Sequence, residues 1–259
     1  MYYCCAVTDK GVRSHNEDSV LAAGRVFSEG SAEGIIGEPF IAAVSDGVSG
    51  GNAGETASAM CLEGVAAIVP ETGELTLDQS ILADRLNDIH NDILEYGSTH
   101  PECENMQATL CGAAFAGGRI YSFNVGDSRL YRFREGVLRQ LTHDHTFAQV
   151  LADEGAIARN ERKTNAHRNI ITSTIGGRSL SIDIRDITER VSDGDILLVC
   201  SDGLSDYLPV IDMQEILAEP KDLMQRTRRL CEAAIARGGR DNVSVITLLR
   251  SDERLLHSL

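Results

Sequence analysis

The chain has 259 residues, 42% of them hydrophobic, and a formal net charge of -15. This length and apolar content suit one domain with a sizeable core, and no apolar run approaches the ~20 residues of a membrane-spanning helix. So acidic a chain is also a poor match for a nucleic-acid backbone, whose binders gain affinity from basic surface.

The amino-terminal "MYYCCAV" has no basic segment ahead of its apolar residues, so neither a signal peptide nor a membrane partner is expected, and the expected compartment is the cytoplasm. The seven cysteines (4, 5, 61, 103, 111, 200 and 231) are odd in number and contain no CxxC. That disfavours both a disulfide framework and a thiolate zinc site, and leaves them as small core residues. The acid excess is uneven: residues 1–105 hold 4 Lys/Arg against 18 Asp/Glu, and residues 106–259 hold 20 against 21. Such a region is either a solvated acidic face or a surface that attracts divalent cations or basic peptides.

Apolar runs bounded by Gly, Asp and Asn predict strands over 2–8, 18–23 and 39–45. The Ala-rich stretch 54–69 then reads as a helix lying on a sheet. A second helix is expected over 78–95, where Leu82, Leu86, Ile89 and Ile93 recur three or four apart and Asp78 is placed as N-cap. Strands over 108–116, 119–125 and 129–133 follow so closely that antiparallel meanders are implied. A helix at 146–154, a strand at 195–201, a helix at 221–236 and a strand at 243–249 complete the order. This is not βαβ alternation, and the expected class is a layered α+β fold.

Two of the strands run into the same sequence. "PFIAAVSDGVSGG" (39–51) and "GDILLVCSDGLSD" (194–206) each end in Ser-Asp-Gly. An Asp at the end of a buried strand is held rigidly, and the Gly lets the backbone carbonyl approach a ligand. Gly126-Asp127, Asp241-Asn242 and the "NED" of 16–18 add further acids at expected strand ends. Each turn alone is an ordinary Asp-Gly turn. If the ends meet, like charges at 4 Å repel by ~4 kcal/mol at an effective dielectric of 20. Oxygen donors in that arrangement select Mg²⁺ or Mn²⁺ over zinc. Two such ions ~3.5–4 Å apart can share and activate a water.

The ordered motifs "GVRSHNEDS" (11–19), "AVSDGVSGGNAGE" (43–55), "QATLCGA" (107–113), "NVGDSRLYRFREG" (124–136), "QLTHDHT" (140–146), "HRNIITSTIGG" (167–177), "DGDILLVCSDGLSD" (193–206) and "GGRDNVSVI" (238–246) resemble the PPM family of metal-dependent serine/threonine protein phosphatases in its compact bacterial form. The resemblance covers nearly the whole chain. It implies a single catalytic domain over 1–259, a four-layer αββα sandwich of two antiparallel sheets flanked by helix pairs, and a flap over 147–178. It also implies hydrolysis of phosphoserine and phosphothreonine in proteins by a metal-bridging water or hydroxide without a phosphoenzyme. A bacterial Ser/Thr kinase would supply the substrates.

Carried over residue by residue, Asp46 is similar to the ligand that bridges two ions, and the Gly47 carbonyl to a ligand of one of them. Asp202 and Asp241 match ligands of the other. Glu17 and Asp18 correspond to acids that hold metal-bound waters. Arg13 matches the phosphate-binding arginine, whose planar fork suits two phosphate oxygens. Asp127, Asp202 and Asp206 correspond to a third, weaker metal site of bacterial members. For Arg13 a surface salt bridge is the plainer reading, and for Asp206 helix capping.

Two departures stand out. The bacterial pattern reads Asp-Gly-Met-Gly-Gly-His-x-x-Gly-Glu, and here Val48, Ser49 and Gly51 replace Met, Gly and His. The histidine proposed as general acid in animal members is absent, with Val48 in its place. A metal-bound water is then the first choice as proton donor, with His143 or His145 behind it and a structural role the plainer reading of both. The flap sequence collects Arg159, Arg162, Lys163, Arg168 and Arg178. These could steer a phosphorylated peptide, or simply balance nearby acids. The alternative to an active enzyme is a catalytically weak, phosphatase-like regulatory binding module; a third reading is a two-metal hydrolase of phosphodiesters or small esters.

Overall fold

The computed structural model describes residues 1–48, 53–70 and 77–250. In chain order the strands are β1 (Tyr2–Asp9), β2 (Asp18–Ala22), β3 (Arg25–Phe27), β4 (Gly30–Ile36), β5 (Phe40–Asp46), β6 (Leu110–Ala116), β7 (Arg119–Val125), β8 (Arg129–Arg134), β9 (Val137–Gln140), β10 (Asp183–Asp186), β11 (Ile196–Cys200) and β12 (Val243–Arg250). The helices are α1 (Gly54–Ala66), α2 (Gln79–Thr99), α3 (Phe147–Asp153), α4 (Asp202–Ser205), α5 (Val210–Leu217) and α6 (Leu223–Ala236). The strands form two six-stranded sheets, ordered β4-β1-β12-β11-β8-β9 and β10-β7-β6-β5-β2-β3. Every ladder between them is antiparallel.

Alternation along the strands builds the layers. In β5, Phe40, Ala42 and Val44 point between the sheets, where they meet Phe115, Leu197, Val199 and Ile246. Phe40 stacks on Phe115 with ring centroids 4.2 Å apart. The intervening Ile41 and Ala43 face the other way, onto Leu62 of α1 and Leu82, Leu86 and Ile93 of α2. The outer face of the first sheet packs Leu198 and Val245 on Met213 of α5 and Leu230 of α6. The result is the expected αββα sandwich.

All seven cysteines are free and buried within it. Asp78 caps α2, accepting from the Ser80 and Ile81 amides at 2.8 and 2.9 Å. Helix α2 runs four residues past its expected end, to Thr99.

Among the described residues, four strands (β3, β4, β9 and β10) and two helices (α4 and α5) lie outside the elements expected from the sequence. β4, with Gly30, Ser31 and Gly34 among its seven residues, lacks the apolar run of an expected strand, yet its whole length ladders onto β1, a tertiary pairing that overrides local propensity. The second Ser-Asp-Gly is not a glycine turn: Asp202 opens the single-turn helix α4.

Candidate metal centre

The sandwich brings acids from both sheets to one end. Asp18 begins β2 and stands directly opposite Asp46, the last residue of β5. Like charges opposed in a ladder destabilise it. Asp202 follows β11 in the other sheet, and Asp241 lies just ahead of β12. Ser201 joins the sheets here: its hydroxyl donates to Asp18 Oδ2 at 2.8 Å and accepts from the Ser244 amide at 3.0 Å.

Backbone crowding fixes the turns. A side chain at Gly47 would collide with the Gly54 backbone. The Gly47 amide donates to the Glu17 carbonyl at 3.1 Å, and the Thr109 amide to the Asp46 carbonyl at 2.8 Å. The Asp46 amide in turn donates to Thr109 Oγ1 at 3.1 Å. Beyond Gly47, the Val48 amide donates to the Gln107 carbonyl at 3.0 Å. The other two departures from the bacterial pattern, Ser49 and Gly51, lie outside the described residues.

The electrostatics follow from burial. Asp46 and Asp202 are held well above the usual carboxylate range, first by loss of water and then by neighbouring acids: Asp18, Asp202, Asp127 and Asp241 act on Asp46, and Asp127, Asp241, Asp206 and Asp18 on Asp202. Burial pushes Asp18 up to about 6 against the opposing hydrogen bonds from Ser244 and Ser201. Asp127 is pushed up to about 7, by burial first and then by Asp144. Asp18 Oδ1 and Asp202 Oδ1 are buried without a hydrogen-bond partner. Orphaned carboxylate oxygens inside a cluster of repelling acids fit hard, oxygen-seeking divalent cations. The side chains are not closed on such an ion: among the described residues, no three Asp, Glu, His or Cys form a ready ligand group.

Asp241 is turned to Arg13. Its Oδ2 accepts from Arg13 Nη2 at 3.0 Å, and Arg13 Nε donates to the Arg240 carbonyl at 2.8 Å. The arginine thus makes the salt bridge of the plainer reading, yet its side chain stays 43% exposed at the edge of the cluster. The Glu17 side chain lies against Gly54. Asp206 does not cap a helix with its side chain; its Oδ2 accepts from Arg168 Nη1 of the flap at 2.9 Å.

Neither histidine serves the acid cluster. His145 Nδ1 accepts from the Gly126 amide at 3.2 Å, and burial pushes its pKa down. His143 Nε2 pairs with Asp153 at 3.0 Å.

Asn242, the neighbour of Asp241, organises the Arg13 loop. Its Oδ1 accepts from the Glu17 amide at 2.9 Å, and its Nδ2 donates to the Lys10 and His15 carbonyls at 3.0 and 2.9 Å. The buried pair of Arg129 and Asp144, 2.7 Å apart, was also unforeseen. Nothing in the local sequence marks either role.

The family description "Protein phosphatase 2C" matches residues 31–244. Serine/threonine phosphatase stp of Listeria innocua is 30% identical over 248 residues, covering 94% of each chain. Serine/threonine protein phosphatase PstP of Mycobacterium tuberculosis is 34% identical over 93% of this chain, a match that spans 43% of PstP. The crystal structure of the Mycobacterium tuberculosis serine/threonine phosphatase PstP/Ppp aligns with a TM-score of 0.81 at 32% identity, covering 97% of this chain and 100% of that one. The catalytic domain of PstP in complex with two manganese ions gives 0.77 at 31% identity, with 97% and 100% covered. With motif order, sandwich topology and these likenesses in agreement, the chain belongs to the protein phosphatase 2C family, the metal-dependent PPM phosphatases that its motifs resemble.

Proposed function

We propose that the chain, acting as one catalytic domain, removes phosphate from phosphoserine and phosphothreonine in proteins. The observation that carries this reading is the meeting of the buried Asp18 and Asp46 from one sheet with Asp202 and the partly exposed Asp241 from the other, with two carboxylate oxygens left unpartnered. Asp46, which faces Asp18 across the ladder and feels the charges of Asp202, Asp127 and Asp241, would be shared by two divalent cations. The Gly47 carbonyl, Asp202 and Asp241 complete their protein ligands, and Glu17 and Asp18 act through water. The PstP catalytic domain carries two manganese ions; Mn²⁺ or Mg²⁺ is assigned here. When bound, such ions activate a water and neutralise phosphoryl oxygens.

The protein's own part is to position. Asn242 and the Glu17 amide hold the loop that presents Arg13. The exposed Arg13 fork binds phosphoryl oxygens and orients the ester. Asp127, Asp202 and Asp206 are assigned a third, weaker cation site, which competes with Arg168 for Asp206.

A Ser/Thr kinase acting on the same proteins is the natural counterpart, and the cytoplasm is the assigned compartment. Seven free, buried cysteines suit a reducing setting, and among the described residues no helix is long and apolar enough to cross a membrane. Turnover of a phosphothreonine peptide and of a phosphodiester, each with Mn²⁺, tests the reading. Preference for the peptide is expected, and preference for the diester would reject it.

Burial raises Asp18 and Asp127, so the folded metal-free protein keeps protons that the unfolded chain releases. Stability without metal is expected to fall as pH rises from about 4 through about 7, opposite to the trend for an ion-paired acid. Thermal denaturation in chelator should give a lower Tm at pH 8 than at pH 5, recovered by added Mn²⁺. A Tm indifferent to both would remove the cluster from consideration as a cation site.

A further inference from the structure

Beside the acid cluster, between the flap and β8, lies a cavity of about 210 Å³ with four cationic and three acidic side chains in its lining. Two of the cations are committed. Arg129 grips Asp144 through Nε at 3.0 Å and Nη2 at 2.7 Å, and Arg168 holds Asp206 at 2.9 Å. The other two, Arg162 and Lys163, are not matched to acids. Arg162 donates to the neutral Gln149 carboxamide and to the Arg159 carbonyl. Lys163 lines the cavity while remaining open to solvent, and among the described residues it makes no ion pair.

Asp127 is therefore the one lining acid set against two unmatched cations, and the cavity keeps an excess of positive charge. That excess is local. The chain as a whole carries -15, so an anion approaching most of its surface is repelled. Asp127 and Asp206 also act electrostatically on Asp202, which places the cavity at the flank of the proposed metal centre.

We propose that this cavity receives an anionic side chain of the phosphoprotein substrate, a carboxylate or a second phosphoryl group flanking the ester being cleaved, and that Arg162 and Lys163 select for it. The inference rests on the phosphatase reading above and adds the substrate class to it. Charges of this kind discriminate between partners through complementarity and through steering, both of which salt weakens.

The test uses phosphothreonine peptides flanked on both sides by Glu, by Gln, or by a second phosphothreonine, with kcat/KM measured for the native chain, for Lys163→Gln and for Arg162→Gln/Lys163→Gln. The native chain is expected to favour an anionic flank by about fivefold, the effect of one well-placed charge pair. That ratio should shrink in the single variant, approach one in the double variant, and shrink in the native chain at high salt. Because the ratio is internal to each protein, a general loss of activity does not imitate it. The Glu and phosphothreonine peptides separate the two sources of the anion, and a preference for either supports the site. Equal kcat/KM values in the native chain, or a preference that survives the double variant, would overturn the proposal. Absence of turnover on all three peptides would instead overturn the phosphatase reading beneath it.

Discussion

Asp46→Asn is expected to lower metal-dependent phosphate release by roughly a thousandfold, comparable to removing a central electrostatic group from an active site. The substitution keeps the shape of the side chain and removes the charge that faces Asp18 across the β2–β5 ladder. In metal-free protein that charge is a burden, because burial and the neighbouring acids already hold the Asp46 carboxyl far above its ordinary range. The variant should consequently be more stable than the native chain in chelator, with Tm higher by a few degrees, and should gain less from Mn²⁺. Activity and metal-free stability thus move in opposite directions, which no simple folding defect produces. Turnover within twofold of native, or a lower Tm in chelator, would contradict the central place given to Asp46.

Gly203→Ala carries the second large effect. In an ordinary helix this change stabilises by up to ~1 kcal/mol through propensity. Here a Cβ would fall onto the Asn242 carbonyl oxygen and crowd Val243. Relief requires α4, which begins with Asp202, to withdraw from the turn that carries Asp241 and Asn242. Overpacking of this kind costs about 3 kcal/mol. It should also cut activity sharply, since Asp202 and Asp241 part and the Asn242 grip on the Arg13 loop slackens. Urea denaturation and phosphate release measured together check both halves. A stabilised variant would show that α4 and the 241–242 turn are less tightly apposed than their backbones indicate.

Much of this was legible because it depends on local pattern. β7 is read from the sequence over its observed span, 119–125, since its apolar residues are bounded by Gly117-Gly118 and Gly126. The two Ser-Asp-Gly sequences pointed to Asp46 and Asp202 for the same reason: a buried strand that stops at an acid is visible in one dimension. What escaped depends on distant partners. β4 holds its strand by pairing with β1, and α5 begins behind Pro209 without a polar N-cap to announce it. Ser201, Asn242 and the Arg168–Asp206 pair act across 183, 225 and 38 residues of sequence respectively, so no spacing rule reaches them. The flap cations illustrate the limit of composition. As a cluster they could steer a peptide or balance acids, and the fold divides them, with Arg168 balanced by Asp206 and Arg162 and Lys163 left unmatched.

The most direct test of the central claim is phosphate release from a phosphothreonine peptide by the native chain, with Mn²⁺ and with chelator, beside Asp202→Asn under the same conditions. The expected result is release that requires the metal and collapses in the variant. Release that persists in chelator, or none from folded, Mn²⁺-loaded native protein, would contradict it.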